Sequence, residues 1–194
     1  MEKLEQQLLK NKMDLFSANQ MMWAAFIIGN SAPIIFSILY YFGFISKMFQ
    51  LFIIGILIGF LWEIPFGLAG DSFHLILINW PIDIPLARNI TYSFIDSLIF
   101  LIGVFLARLV LKDFNFLYQF NYKALAVMVI WGSFSEFLID LNGNGKLWLF
   151  IENWYNPVFI SINNNDLTII PQLIWLFAPI LYYLAILKCA KKKF

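Results

Sequence analysis

Five long apolar runs, separated by shorter stretches that carry charged and turn-forming residues, dominate the hydrophobic pattern of the chain. The apolar core of a bilayer is about 30 Å thick, so a helix needs about 20 apolar residues to cross it. Each run has roughly that length, and charged residues bound most of the runs. The pattern therefore predicts five transmembrane helices, at residues 21–45, 49–70, 90–111, 124–141 and 167–187.

The composition of the chain is also that of a membrane protein. Hydrophobic residues make up 61% of the 194 residues and charged residues 13%, whereas a soluble domain is about half apolar and about a quarter charged. We therefore predict an all-α, polytopic membrane protein whose single domain is a five-helix bundle at residues 21–194. Residues 1–20 are interpreted as an amphipathic surface segment rather than a secretory signal, because a polar stretch precedes the first apolar run.

Charge and cysteine content exclude several classes of partner and site. A net charge of +1 gives no indication of a nucleic-acid partner. The single cysteine, Cys189, excludes both a disulfide framework and a cysteine-based zinc site. We expect no metal and no cofactor. Both a monomer and a homodimer are compatible with the sequence.

The distribution of lysine and arginine predicts the orientation in the membrane. An odd number of spans places the termini on opposite sides, and eight of the 13 basic residues fall on the side of the C-terminus. The positive-inside rule then predicts an outer N-terminus and an inner C-terminus. The basic tail AKKKF is either a stop-transfer cluster or, in a eukaryote, a dilysine retrieval signal at Lys191 and Lys192. We accordingly expect the endoplasmic reticulum in a eukaryote and the cytoplasmic membrane otherwise.

Four carboxyl groups lie within the predicted spans. Glu136 and Asp140 lie in the fourth run, closer to the surface, and the other two are Glu63 in the stretch GFLWEIPFG and Asp96 in the third run. At 1.5 Å per residue, Glu63 and Asp96 each lie roughly 10 Å below the outer end of their helix. Polar and aromatic residues of the other helices fall in the same outer half, which predicts a pocket opening toward the outer side. The residues expected to bind a substrate there are Asn30, Trp62, Glu136, Gln172 and Trp175.

Ionisable side chains are costly inside a bilayer, so Glu63 and Asp96 are candidate catalytic residues. Two carboxyl groups in one apolar cavity do not both ionise easily, so one can hold a proton while the other is charged. Such a pair suits general acid and base catalysis. The alternative for the amides, Asn30 and Gln172, is interhelical hydrogen bonding without any role in binding.

Several other motifs favour structural explanations. The stretch DLNGNGKLWLFIE resembles a calcium loop, but Ile151 occupies the twelfth position where a bidentate glutamate is needed. His74, the only histidine, is expected in an outer loop, away from the carboxylates. The sequon at Asn89 lies too close to a span for us to expect glycosylation. Trp80, Trp148 and Trp154 are interpreted as an interfacial belt on loops that could form a lid.

The spans and several short motifs resemble the EXPERA family, which includes sterol Δ8-Δ7 isomerase. The match is strongest in the fifth run, where QLIWLFAP, from Gln172 to Pro179, is similar to the family pattern Asn-x-x-Trp-x-x-x-Pro. The stretch IWGS in the fourth run, with Asp140 further on, and Asn89-Ile-Thr before Asp96 in the third are also similar. Glu63 matches a glutamate of the family, but Gly59 stands where the family has a histidine.

The resemblance implies a cavity for a flat hydrophobic ligand such as a sterol, and binding of cationic amphiphilic amines that imitate a carbocation. Glu63 and Asp96 would handle protons, Gln172 would donate a hydrogen bond, and Trp175 would face the developing positive charge. Three functions follow as hypotheses: an isomerase acting on a sterol-like or isoprenoid lipid, a non-catalytic lipid- or amine-binding protein of the same fold, and, independently of the family, a structural subunit of a membrane complex.

Overall fold

A computed structural model describes residues 17–162 and 165–191. Five helices in this part of the chain are long and apolar enough to cross a membrane, so the prediction of an all-α, five-helix, multi-pass membrane protein is confirmed. The helices are α1 (Ala18–Tyr41), α2 (Ser46–Ala69), α3 (Ala87–Leu111), α4 (Tyr122–Gly143) and α5 (Ile169–Lys191).

The ends of α1 differ from the predicted ones for local reasons. Ser17 accepts a hydrogen bond from the Gln20 backbone, and the Gln20 side chain accepts one from Ser17 N. This capping box starts the helix at Ala18, so the last three residues of the predicted surface segment belong to α1. Residues 1–16 lie outside the described part. The helix ends at Tyr41, before Gly43, whose φ of 77° is incompatible with a continuing helix.

Helices α2, α3, α4 and α5 form a ring in which each packs on the next, and α1 lies outside the ring, mainly against α3. Helices α2 and α3 approach each other closely, because a Cβ on Gly55 would lie 2.9 Å from the Cα of Ser97. Ser97 Oγ donates a hydrogen bond to the carbonyl oxygen of Phe52 across this contact, at 2.6 Å. The buried core of the ring includes Phe52, Val104 and Tyr182.

Two small antiparallel sheets cover one end of the bundle, which we call the loop-bearing end because residues 70–86, 144–162 and 165–168 lie there. Strand β1 (His74–Ile76) pairs with β2 (Trp148–Phe150), and β3 (Val158–Ile162) pairs with β4 (Asn165–Thr168). A second buried cluster, formed by Met22, Phe73, Leu147, Trp148 and Phe150, joins the β1–β2 sheet to the helices. The sequence predicts loops here, and the first sheet instead folds back over the ring.

Candidate functional site

A cavity of about 440 Å³ lies in the loop-bearing half of the bundle. All five helices and the β1–β2 sheet contribute side chains to its wall. This volume is within the range of ligand-binding pockets, about 300–1,000 Å³. Most of the wall is apolar, with residues such as Ile95, Ile99 and Ile174, so the cavity suits a molecule with an apolar body.

Five of the seven predicted site residues line this cavity. They come from four helices and lie about two turns below the loop-bearing end. They are Trp62, Glu63, Asp96, Glu136 and Trp175. The structure thus brings together the two predicted catalytic carboxyl groups, a third carboxyl group and two indole rings.

Glu63 has a polar partner on the neighbouring helix. Asn89 Nδ2 donates a hydrogen bond to Glu63 Oε2 at 3.1 Å, and Asn89 itself is buried. The amide oxygen of Asn89 accepts a 3.4 Å hydrogen bond from Arg88 Nη2. Asn89, the asparagine of the sequon, therefore binds the carboxyl group of Glu63 inside the bundle. A glycan could not be attached to Asn89 at this buried position.

Asp96 lies against α2 and faces the cavity. Its Oδ2 is buried and has no hydrogen-bond partner among the described residues, although the Trp62 indole lies beside the carboxyl group. A Cβ on Gly59 would lie 3.1 Å from Asp96 Oδ2 and 3.1 Å from Ser93 Cα. The absence of a side chain at Gly59 is therefore what allows Asp96 to pack so close to α2.

Aromatic rings form the deep wall of the cavity, beside these carboxyl groups. The rings of Trp62 and Trp175 meet edge to face with centroids 5.9 Å apart, and Phe100 lies 5.4 Å from Trp175. Both tryptophans are buried. An indole face attracts a desolvated cation by about 2 kcal/mol or more, so this wall can stabilise positive charge that develops on a bound molecule.

Asn30 and Gln172, which were also predicted to bind a substrate, are not among the residues that line the cavity. Asn30 Nδ2 donates to Phe26 O at 2.8 Å and to Thr91 Oγ1 at 3.1 Å, which joins α1 to α3. Gln172 Nε2 donates to Asp140 Oδ2 at 2.8 Å, which joins α5 to α4. Both amides therefore make the interhelical hydrogen bonds that the sequence analysis gave as the alternative, and Gln172 orients a carboxyl group that does line the cavity.

His74 lines the cavity, although we expected it in an outer loop away from the carboxylates. Its ring is buried and stacks on Phe150 with centroids 4.6 Å apart. Burial, together with the nearby positive charge of Arg88, lowers the pKa of His74 to about 3. The imidazole is therefore neutral at physiological pH, with one nitrogen able to donate and the other able to accept.

Asp140, Tyr92 and Trp148 also line the cavity and were not among the predicted site residues. Tyr92 precedes Asp96 by four residues, a spacing that places both on one face of α3 and could have identified it. Trp148 is buried rather than part of an interfacial belt, whereas Trp154 is 91% exposed. Pairing of β1 with β2 brings Trp148 and His74 together. Such pairing between distant short strands leaves no signal in the sequence, so their contact could not have been predicted.

The stretch that resembles a calcium loop uses its polar groups for folding. Asn144 Nδ2 donates to Asn165 Oδ1 at 2.7 Å and to Asp166 O at 2.9 Å, and Asn144 Oδ1 accepts from Phe150 N. Within residues 17–162 and 165–191, no group of three or more histidine, cysteine, aspartate or glutamate side chains could hold a metal ion. The stretch acts as a turn that links α4 to the sheets.

Comparison with known proteins gives no relative for this chain. No family model matches it, and neither a curated protein nor a solved structure matches it. The resemblance to the EXPERA family therefore stays a prediction that depends on the short motifs quoted above, whereas the bundle and its cavity are features of the structure itself.

Proposed function

We propose that the cavity binds a sterol-like or isoprenoid lipid and shifts a double bond in it by protonation and deprotonation. The observation that carries this proposal is the convergence of three carboxyl groups, Glu63, Asp96 and Glu136, and two indole rings on one apolar cavity. A carboxyl group can donate or accept a proton, and the indoles favour a carbocation.

The charged side chains of the cavity wall favour a ligand that is neutral or that becomes positively charged during the reaction. Four carboxyl groups line the cavity, those of Glu63, Asp96, Glu136 and Asp140. Among the described residues that line it, none is a lysine or an arginine. An anionic ligand would meet no cationic side chain on this wall, whereas a cationic amphiphilic amine or a carbocation would meet several acidic groups.

The position of the opening supports entry from the bilayer. Ile28 on α1 and Leu138 on α4 belong to the wall and are also exposed on the bundle surface. Exposure of these two wall residues, one on each helix, indicates that the cavity opens on the bundle surface between α1 and α4. In a membrane this opening faces acyl chains, so an apolar molecule can enter without crossing water.

The reaction needs no oxidant, reductant or cofactor. A protonated carboxyl group gives its proton to one alkene carbon, which forms a C–H bond and leaves a carbocation on the other carbon. A carboxylate then removes a proton from the carbon next to the cation, and that C–H electron pair becomes the new double bond. One proton is gained and one is lost, so the product is an isomer. The carboxyl group that took the proton then releases it to water, and the other takes up a proton from water, which restores the starting state.

A non-catalytic lipid- or amine-binding protein is the second candidate, and the environment of Gly59 favours it. The EXPERA family has a histidine at the position that Gly59 matches. Ser93 and Asp96 occupy the space into which a side chain at Gly59 would extend. If the family's reaction requires that histidine, this chain retains a binding cavity without the full catalytic set.

Incubation of the purified protein in nanodiscs with a Δ8 sterol, followed by mass spectrometry of the sterols, tests the proposal. We expect a Δ7 product that forms in proportion to protein concentration, and binding of a tertiary amine sterol analogue that competes with the substrate. Amine binding without conversion of Δ8 sterols or of isoprenoid alkenes would reject the isomerase and leave the binding protein. Neither binding nor conversion would reject both functions.

A further inference from the structure

Three side chains at the loop-bearing end of the cavity are buried and have polar atoms without hydrogen-bond partners. Asp140 is 1% exposed, His74 5% and Trp148 7%. The atoms without partners among the described residues are Asp140 Oδ1, Trp148 Nε1 and both ring nitrogens of His74. All three residues line the cavity. Buried polar atoms are costly to leave unsatisfied, so a cluster of them indicates a place where a polar group of a ligand binds.

The three side chains are neighbours. The Trp148 indole lies close enough to interact with the Asp140 carboxyl group, although neither Trp148 Nε1 nor Asp140 Oδ1 completes a hydrogen bond. The rings of His74 and Trp148 meet edge to face with centroids 6.2 Å apart. Gln172 holds the other oxygen, Asp140 Oδ2, at 2.8 Å, which fixes the direction of Oδ1. One small polar group can therefore contact Asp140 and Trp148 together.

We propose that Asp140, Trp148 and His74 form a hydroxyl-binding subsite, so that the ligand of this cavity is an apolar alcohol. This inference rests on the cavity's being a ligand site, as proposed above, and does not require that the ligand be isomerised. The hydroxyl group donates to Asp140 Oδ1 and accepts from Trp148 Nε1.

The donor and acceptor pattern of the subsite distinguishes a hydroxyl group from other polar groups. A ketone or an ether oxygen only accepts, so it would leave the Oδ1 of an ionised Asp140 without a donor. An ammonium group only donates, so it would leave Trp148 Nε1 without an acceptor. A hydroxyl group does both, and the neutral imidazole of His74 can take up either remaining hydrogen-bonding position.

The subsite also fixes the direction of the bound molecule. Glu136 lies one helical turn, about 6 Å, deeper on α4 than Asp140. The deep wall of Trp62 and Trp175 lies at the far side of the same cavity. With its hydroxyl group between Asp140 and Trp148, an alcohol extends its apolar body toward the deeper carboxyl groups and the indoles, where the proposed reaction would occur.

Equilibrium binding to the full-length protein in nanodiscs tests the subsite with two matched series. One series is 5α-cholest-8-en-3β-ol with its 3-ketone and 3-methyl ether; the other is farnesol with farnesal and farnesyl methyl ether. For at least one series we expect the alcohol to bind about tenfold more tightly than the ether and the ketone or aldehyde. All members of a series are measured on one protein sample. The ratio of the alcohol's affinity to that of the ether, ketone or aldehyde therefore does not depend on the fraction of the protein that is folded.

Two variants assign the preference to the subsite. In Asp140→Asn, Gln172 keeps the amide oxygen as its acceptor and the amide nitrogen faces the subsite, so the preference for the alcohol over the ketone should fall about tenfold or reverse. Trp148→Phe removes the donor and should weaken both alcohol and ketone. The exposed controls are Asp113→Asn and Trp154→Phe, which should keep the wild-type ratios.

Equal affinities within both series, or no binding in either, would overturn the subsite. So would an unchanged alcohol-to-ketone ratio in Asp140→Asn. A preference for the alcohol without any double-bond shift would reject the proposed isomerase and leave the subsite in place, so the two failures are distinguishable.

Discussion

Glu63 and Asp96 face one cavity from two helices, but their immediate neighbours differ. The amide nitrogen of Asn89 only donates, so Glu63 Oε2 accepts its hydrogen bond, which favours the ionised form of Glu63. Asp96 Oδ2 has no such partner among the described residues and can therefore hold a proton. We therefore assign the base to Glu63 and the acid to Asp96 in the proposed reaction.

Glu63→Gln and Asp96→Asn should abolish proton transfer while keeping the shape of the cavity. We expect turnover of a Δ8 sterol to fall on the order of 10²-fold or more, with sterol affinity largely retained. Initial rates and sterol binding, measured on the same preparation, separate the two effects. The control is Glu152→Gln, at an exposed loop position. A rate near that of the wild type in either cavity variant would contradict the assignment.

His74 should make stability depend on pH. Its pKa falls from 6.5 in the unfolded chain to about 3 in the folded protein. Between these values the unfolded chain binds a proton that the folded protein does not, so the free energy of unfolding decreases as the pH falls below 6.5. From there to pH 5 the loss amounts to about 2 kcal/mol.

His74→Phe keeps the ring stacked on Phe150 and removes the titration. We therefore expect the melting temperature of the wild type in detergent to fall more than that of His74→Phe between pH 7 and pH 5. The carboxyl groups titrate in both proteins, so the difference between the two curves reports His74. Parallel curves would show that His74 is not buried in the folded protein.

At the scale of elements, the helices follow directly from the sequence, whereas the small sheets do not. Each helix is an apolar run of membrane length, and its hydrogen bonds are local, so the pattern of the run is sufficient to predict it. The pairing of β1 with β2 joins His74 to Phe150 across two intervening helices. Short strands with distant partners leave no periodic signal, so His74 and Trp148 could not be placed in the cavity from the sequence.

The depth of a residue in a helix could also be predicted, but its rotational position could not. Glu63, Asp96, Glu136 and Trp175 were grouped by depth alone and do line one cavity. Asn30 lies at a similar depth and turns toward α3 instead. Hydropathy in these helices is nearly uniform around the axis, so only packing shows which face of each helix points inward.

The close contact of α2 with α3 depends on the absence of a side chain at Gly55. Gly55→Ala would place a Cβ 2.9 Å from the backbone of Ser97, so the helices must separate. We expect a loss of about 1–3 kcal/mol in the free energy of unfolding and a lower melting temperature. The control is Gly103→Ala, whose Cβ would lie 3.3 Å from the Trp131 side chain and 3.6 Å or more from Met128, without a close backbone contact. Because alanine favours helix, the control should be neutral or stabilising. Equal melting temperatures would contradict the close packing.

At the scale of the whole molecule, the five helices alternate in direction, so the loop-bearing end lies on the same side as the start of α1. The distribution of basic residues predicts that this side is the outer one. The cavity would then be in the outer half of the bilayer, with its opening between α1 and α4 facing the lipid.

Cys189, the only cysteine, reports this orientation from the opposite end of the bundle. A membrane-impermeant maleimide added to intact cells should leave it unlabelled and should label it after the membrane is permeabilised. In a Cys189→Ser background, Ser72→Cys introduces an exposed thiol at the loop-bearing end, which should be labelled in intact cells. The reverse pattern for the two proteins would invert the predicted topology.

The central claim is that the carboxyl groups of one intramembrane cavity move protons on a bound lipid. The most direct test is conversion of a Δ8 sterol in D₂O by protein that has been equilibrated with D₂O beforehand. Proton delivery from a carboxyl group predicts one deuterium per molecule of Δ7 product, at the carbon that is protonated, and no incorporation with Asp96→Asn. A product without deuterium, or deuterium incorporation that is unchanged in Asp96→Asn, would contradict the claim.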